Sequence, residues 1–533
     1  METLYNGIVL ADDWLKNATP PSGIEADIPY LQAPPAVIDI SVGRQLFVDS
    51  FLIAETDLQP TYHRAKKHPK NPVLKPETVW ETEETLPLAC PKGGGVWYDE
   101  AYGCYRMWYE AGWLNELAYA ESSDGIHWKR PVLDPVTGSN LLFSSEQVIP
   151  VRNTDGTMTQ ISGKDLQPDS TSVWIDSTAD PKERYKLFFR PPTRKGLYDP
   201  AIVATSSDGI HWENFRYTPT IGDRSTAFYN PFRKKWVYSI RDYWKSRSRR
   251  YRECDDFLDG AAWIEEEAVH WLAADSKDTD NPFTSSPISL YNTDVIAYES
   301  ILVGMFEAWY GPDNTECLKT GCPKHTALMP MYSRDGFHFS RPNRTPLIQE
   351  DPDSWDKGYI QSVTGGLIVH EDTLWLYYTG VSGDSSRITD SEYTNGMYAG
   401  GATGIAILRR DGFVSMGSSQ GGYLMTRLLT AKDTHYLFVN LDGAMTVDVL
   451  MDDGTTFTSL PVECDSTRQQ VLFEDFDLAV LAGTIFRLRF RLKKGQLYAF
   501  WFSDSNYGNS DGYLAAGKPR LEEGCLKRAL VSD

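Results

Sequence analysis

Ser122-Ser123-Asp124-Gly125-Ile126-His127-Trp128 and Ser206-Ser207-Asp208-Gly209-Ile210-His211-Trp212 spell the same phrase, S-S-D-G-I-H-W, letter for letter. A third, diverged copy runs Ser333-Arg334-Asp335-Gly336-Phe337-His338-Phe339, and Arg409-Arg410-Asp411-Gly412-Phe413 is the remnant of a fourth. An internal repeat sets the architecture before any local motif is read. Each copy follows strand-like aromatic runs, so the repeating unit is a small antiparallel sheet closed by an Asp-Gly turn, the element a β-propeller blade requires. Within the phrase the Asp caps the turn, the Gly supplies a positive φ and the Trp packs between blades.

With Asp-Gly as punctuation, five units emerge. The first pairs residues 95–98 with 105–109, and the second pairs 172–175 with 185–189. The third pairs 227–229 with 235–240, and its closing turn is replaced near His270-Trp271. The fourth is expected to start at Tyr298 and end at the third copy; the fifth pairs 366–369 with 374–378 and ends near Gly412. Beyond Gly412, alternating runs such as Thr434–Asn440, Met445–Met451 and Thr484–Arg491 read as a sandwich, with Asp442-Gly443 and Asp453-Gly454 as its turns. The expected fold is all-β: a five-bladed β-propeller followed by a C-terminal β-sandwich. Residues 1–40 read as an N-terminal arm lying on the propeller, 41–417 as the propeller and catalytic domain, and 418–533 as the sandwich.

Composition removes several classes of function. The 533 residues carry 52 basic and 73 acidic side chains, a formal charge of −21. A nucleic-acid partner needs a basic surface and an anionic membrane would repel this chain, so neither is expected. No apolar stretch approaches a membrane span, and the first residues lack the basic start and apolar core of a signal peptide. The seven Cys are scattered. Cys317 and Cys322 could bridge or bind metal, but reduced thiols in a cytoplasmic protein are the expectation. A homo-oligomer is compatible with all of this.

In a propeller the inner strand of each blade lines the axis, and its open end meets its counterparts in a funnel. Carboxylates are expected there on three blades, at Asp169, Asp223 and Glu299. Clustered acids repel and raise one another's proton affinity, a cost that glycoside hydrolysis uses: one carboxyl stays protonated as donor while another is ionised. Second strands are expected to end at the same mouth with Glu110, Arg190, Arg241, Trp309 and Tyr378. The arginines would keep a stabilising carboxylate ionised or bind an acidic sugar substituent. Arg224, Gln361 and Tyr298 join the candidate binding residues, and Trp80, Trp113 and Trp309 are candidates for stacking on a sugar ring. No phosphate-binding glycine loop, zinc-spaced His pair or G-x-S-x-G elbow occurs.

These features resemble the five-bladed propeller glycoside hydrolases, the clan of families 32, 43, 62 and 68. The layout of propeller plus sandwich is similar to family 32, the invertase and fructanase relatives, over about residues 40 to 520. Gly222-Asp223-Arg224-Ser225 resembles that family's R-D-P region, whose Asp stabilises the oxocarbenium-like transition state. Tyr298-Glu299-Ser300 resembles its W-E-C motif, whose Glu is the general acid. The stretch Cys90 to Gly94, where the nucleophile motif N-D-P-N-G would fall, holds no acid, and Asp223-Arg224 reverses the R-D order. The resemblance implies Glu299 as proton donor and Asp223 as stabiliser; with no acid at the start of blade 1, Asp169 is assigned as base, with Asp49 and Glu84 in reserve. It implies a carbohydrate substrate attacked at a chain end and no cofactor, although a structural cation at the propeller centre would fit some family 43 members. Two alternatives stay open: a non-catalytic carbohydrate-binding propeller, and a glycoside phosphorylase like those of family 130, with Arg224, Arg241 and Lys92 holding phosphate.

Overall fold

The protein is described by a computed structural model over residues 1–15, 23, 27–83, 85–191, 198–244, 246–279, 281–320, 323–383 and 397–517. Five antiparallel sheets follow one another around an axis. Blade 1 is Ala89–Asp99, Cys104–Ala111 and Glu116–Ser122. Blade 2 is Ser170–Ile175, Tyr185–Arg190, Tyr198–Ser206 and Trp212–Gly222, with the hairpin Val148–Arg152 and Met158–Ser162 added outside it. Blade 3 is Thr226–Asn230, Lys235–Trp244, Ser246–Cys254 and Val269–Ala273. Blade 4 runs Ser289–Glu299, Ile301–Gly311, His325–Ser333 and Ile348–Gln349. Blade 5 has a broken inner strand, Tyr359–Gln361 and Leu367–His370, then Thr373–Val381 and Gly401–Arg409. Its outermost strand, Lys66–Lys67, comes from the N-terminal part of the chain and pairs with Ala406 and Ile407.

Neighbouring inner strands are tied directly. The Trp97 indole donates to the Val173 carbonyl at 2.8 Å, Thr226 Oγ1 to Thr293 O at 2.9 Å, and the Gly366 N–H to Val96 O at 2.9 Å. A late segment seals one end of the axis. Tyr513–Leu514 pairs with Tyr298–Glu299 of blade 4, while Ala516 donates to Leu367 O of blade 5 and accepts from the Tyr98 N–H of blade 1, both at 2.9 Å.

The repeated phrase sits at that same sealed end, between the last strands of its blade, and acts as an inter-blade staple. In the first two copies the Asp carboxylate accepts the two following backbone N–H groups and the His side chain, and Ser Oγ accepts the Gly N–H. The glycine carbonyl is left facing the preceding blade. Gly209 O accepts the Trp108 indole at 2.6 Å, and Gly125 O accepts the Tyr377 hydroxyl at 2.6 Å. In the third copy Phe337 O takes the Trp271 indole of blade 3 at 2.6 Å. Trp271 thus stands on the outer strand of the one blade that lacks the phrase. Burial raises the proton affinity of Asp208, but its bonds to His211, Ile210 and Ser206 outweigh that and hold it at about 2.

The second unit is built on two long strands, Tyr436–Met451 and Phe486–Ser503, paired along their length around a core that includes Leu437, Val439, Leu488, Phe490 and Phe500. Asp442-Gly443 is not a turn. It lies inside the first long strand, where Gly443 faces Gly495 across a register shift and a Cβ on Gly443 would stand 2.2 Å from Lys494 O. Two facing glycines let the strand pair bend between the layers of the sandwich. Asp453-Gly454 is a turn as expected. The sandwich also takes strands assigned by sequence to the arm and the propeller. Ile38–Asp39, Gln45–Leu46, Ile53–Thr56 and Gln59–Tyr62 all pair into its sheet, so residues 38–62 belong to it. Covering otherwise open strand edges is the physical reason. The first residues touch both units: Asn6 donates to Arg334 O at 2.9 Å and Tyr5 stacks on Phe232 at 4.3 Å, while Leu4, Ile8 and Leu10 pack into the core of the sandwich.

The staple predicts a contrast between two left-handed glycines. Gly209 (φ +76°) would place a Cβ 2.7 Å from the Trp108 ring, whereas Gly138 (φ +72°) has open space. Gly209→Ala should cost about 2–4 kcal/mol and Gly138→Ala only the backbone share, about 1–2 kcal/mol. Denaturant unfolding measures both, and equal losses would contradict the staple.

Candidate active site

The starts of the inner strands and the ends of the second strands meet at the end of the ring opposite the staples. Cys90 pairs with Glu110, Ser170 with Arg190 and Ser289 with Trp309. Lys92, from the acid-free start of blade 1, stands between two carboxylates, 3.3 Å from Asp169 Oδ1 and 3.6 Å from Glu110 Oε2. Arg190 bridges Asp169, at 2.5 Å, and Asp199, at 2.7 Å. Asp223 forms an ion pair with Arg241, whose backbone N–H donates to Ser225 Oγ at 2.9 Å.

These acids differ sharply in proton affinity. Glu110 is only 3 % exposed, and burial pushes its carboxyl up; Lys92 and the Leu114 N–H pull it down, Asp169 pushes it up again, and it settles at about 7. Burial also raises Asp223, but Arg241, Arg247, Arg190 and Lys324 outweigh it and hold the carboxyl below its ordinary range. Burial lowers the Lys92 ammonium, yet Glu110 and Asp169 bring it above the usual lysine value, so it stays charged.

The same mouth is walled by aromatics. Trp113 stacks on Tyr398 at 4.5 Å, and the guanidinium of Arg247 lies 3.5 Å over Trp309. Lys324 Nζ donates to the hydroxyls of Tyr291 and Tyr398 at 3.2 and 3.1 Å. Gln361 is buried with both amide atoms unpartnered among the described residues. Arg224 (φ +59°) turns down the axis to Glu307 at 3.5 Å. There Asp294 accepts from Ser362, Thr364 and Asn292. Burial raises Glu307 despite Arg224 and the Ser362 N–H. Among the described residues no group of three or more His, Cys, Asp or Glu is placed to hold a metal ion.

Glu299 is the main correction. It ends the inner strand of blade 4 rather than beginning it, so it lies at the sealed end, not at the mouth. Its carboxylate is fully buried (0 % exposed) and accepts from the Arg44 N–H at 3.1 Å, Arg410 at 3.0 Å and Ser510 Oγ at 2.7 Å. Tyr298 goes with it, donating to Asp411 at 2.5 Å. Arg44 pairs with Asp411 at 2.7 Å and lies 3.9 Å over Trp501, so the cluster bolts the propeller to the sandwich. Asp49 is likewise structural, paired with Arg334 of the third repeat at 2.9 Å. The Trp80 indole is spent on Asn140 at 3.0 Å and the Tyr378 hydroxyl on Asp356 at 2.8 Å. Glu84 and Cys322 lie outside the described residues. Sequence reasoning missed Arg247, Lys324, Tyr291 and Tyr398 as mouth residues. The run Tyr291-Asn292-Thr293-Asp294-Val295-Ile296, in which Tyr, Thr, Val and Ile favour a strand, was the sequence signal for the true start of blade 4.

No protein-family model matches the chain, and no curated protein matches it by sequence. Among solved structures it is similar to a fructofuranosidase from Schwanniomyces occidentalis in complex with fructosylnystose, at 9 % identity over 83 % of this chain and 98 % of that one, TM-score 0.35. It is similar to a family 43 arabinoxylan arabinofuranohydrolase from Bacillus subtilis at 10 % identity over 77 % and 78 %, TM-score 0.30. An endo-1,4-beta-xylanase from Bacteroides thetaiotaomicron gives 11 % identity over 63 % and 96 %, TM-score 0.37. At such identities and scores no residue's role is carried over, and the five blades stand on their own strand pairing.

If Glu299 is a bolt, Glu299→Gln leaves buried guanidinium groups short of charge and should cost about 3–5 kcal/mol of stability. Urea unfolding checks this, and wild-type stability in the variant would contradict it.

Proposed function

We propose that the protein is a glycosidase, acting by carboxylate acid/base catalysis at the open mouth of the propeller. One observation carries the reading: a buried carboxyl that keeps its proton to about pH 7, Glu110, beside a carboxylate, Asp169, paired with two cations. Glycoside hydrolysis asks for this pair. Glu110 gives its proton to the leaving oxygen, and Lys92, at 3.6 Å, steadies the charge left behind. Asp169 acts as the base that takes a proton from the attacking water. Asp223, held ionised by surrounding cations, stabilises positive charge developing on the sugar ring. The donor is thus reassigned from Glu299 to Glu110, while Asp169 and Asp223 keep their expected roles. The far end of the axis is sealed by residues 513–516, so a glycan enters from one side only, which favours attack at a chain terminus.

A panel of aryl glycosides and oligosaccharides, read by release of aryl alcohol or reducing sugar, tests this. Glu110→Gln should lose about 10²–10⁴-fold in kcat, and activity equal to wild type would remove Glu110 from the chemistry. The sign of the pH effect follows from the raised proton affinity: the donor is loaded below about pH 7 and empties above it, so kcat/KM should fall on the alkaline side of about pH 7. Lys92 lowers Glu110, so Lys92→Met should move that limb to higher pH, and an unmoved or lowered limb would contradict the assignment.

A further inference from the structure

The cations of the mouth fall into two groups. Lys92, Arg190, Arg224 and Arg241 each stand within 4.0 Å of a carboxylate. Arg247 and Lys324 have no such partner among the described residues. Lys324 is 1 % exposed, and its ammonium bonds among the described residues to the hydroxyls of Tyr291 and Tyr398. Arg247 rests its guanidinium on Trp309, and its N–H groups have no hydrogen-bond partner among the described residues. Both also lie over the Tyr291 ring, at 5.4 and 5.1 Å, so they share one aromatic wall. The Trp309 indole N–H in that wall is buried without a partner among the described residues. Removing cations from water without a counter-charge is costly, and so is a buried unpaired donor. The chain as a whole carries −21, so the lack of a carboxylate within 4.0 Å of these two cations among the described residues is a local feature.

We infer that Arg247 and Lys324, with the Trp309 N–H, bind an oxyanion carried by the substrate: the carboxylate of a uronic acid, held beside Asp223. This rests on reading the mouth as a glycosidase site. The guanidinium offers paired donors that match a carboxylate, the ammonium a third charge-assisted bond, and the aromatic wall a face for the sugar ring. Asp223 keeps its own pair with Arg241, so an oxyanion on Arg247 and Lys324 does not have to displace that pair. The site would select acidic saccharides over their neutral parents, because a neutral sugar leaves both cations unpaired.

Titration calorimetry of the full chain, in wild-type and Glu110→Gln forms, tests this with a panel of uronic acids, their neutral parent hexoses and inorganic phosphate. Uronates should bind both forms, more weakly as salt rises, and the parent hexoses at least tenfold more weakly. Arg247→Gln should weaken uronate binding by roughly 10- to 100-fold and hexose binding by much less, so that the preference for uronate over hexose collapses. Lys324→Met should act in the same direction. Arg247 is only half-buried, so its variant keeps the test alive if the buried Lys324 variant fails to fold. Equal binding of uronates and hexoses overturns the inference, as does binding of phosphate alone, which would make the oxyanion a free one. Uronate binding with no hydrolysis of acidic or neutral glycosides leaves the anion site standing and removes the catalytic reading. Hydrolysis of neutral glycosides with no uronate binding does the reverse.

Discussion

Everything in this molecule depends on one constraint: five short sheets must close a ring, and each joint must hold without a covalent link. At two joints a left-handed glycine points its carbonyl at the neighbouring blade and accepts a hydrogen bond from a buried Trp or Tyr, and at a third the Phe337 carbonyl accepts from Trp271. Only a residue without a Cβ leaves room for the ring that donates. Once closed, the ring brings together side chains from Lys92 to Tyr398, and only Asp223 and Arg224 are neighbours in sequence. The joints lie at one end and the charged mouth at the other, so the repeats that built the ring are not the residues that do its chemistry.

Electrostatics then sorts acids of the same kind into different roles. Glu110 and Glu299 are both buried, yet one has a single cation at 3.6 Å and the other is surrounded by Arg44, Arg410 and Ser510. Burial wins at Glu110, which keeps its proton near neutrality. Asp223 goes the opposite way because four cations outweigh its burial. Arg247 and Lys324, with no carboxylate within 4.0 Å among the described residues, set the mouth apart from an ordinary surface, where such charges would sit in water or in pairs.

Much of the fold was legible because repeats and turns are local. The Asp-Gly phrase marked the blades, and the hairpins at Asp99, Asp176, Asn230 and Glu371 fell where turn chemistry placed them. The misassignment of Glu299 came from reading Tyr298-Glu299-Ser300 as a catalytic motif. In this chain it repeats the position of Tyr98-Asp99-Glu100 and Tyr229-Asn230-Pro231, the turns that end inner strands at the sealed side. Asp99 holds Arg106 and Arg184 there much as Glu299 holds Arg44 and Arg410. The N-terminal strands 38–62 could not be placed from their own residues, since their partners lie more than 350 positions later, as in Leu424 against Thr56. Mouth residues such as Lys324 and Tyr398 carry no motif; only ring closure makes them neighbours.

The central claim is that burial beside Lys92 and Asp169 keeps a proton on Glu110 at neutral pH. Infrared difference spectroscopy of the resting protein, titrated from pH 5 to 9 in wild-type and Glu110→Gln forms, measures it without a substrate. The account predicts a protonated-carboxyl band that disappears with a midpoint near pH 7 in wild type and is missing from the variant. A wild-type protein with no carboxyl titrating in that range, or the same band in both forms, would contradict it.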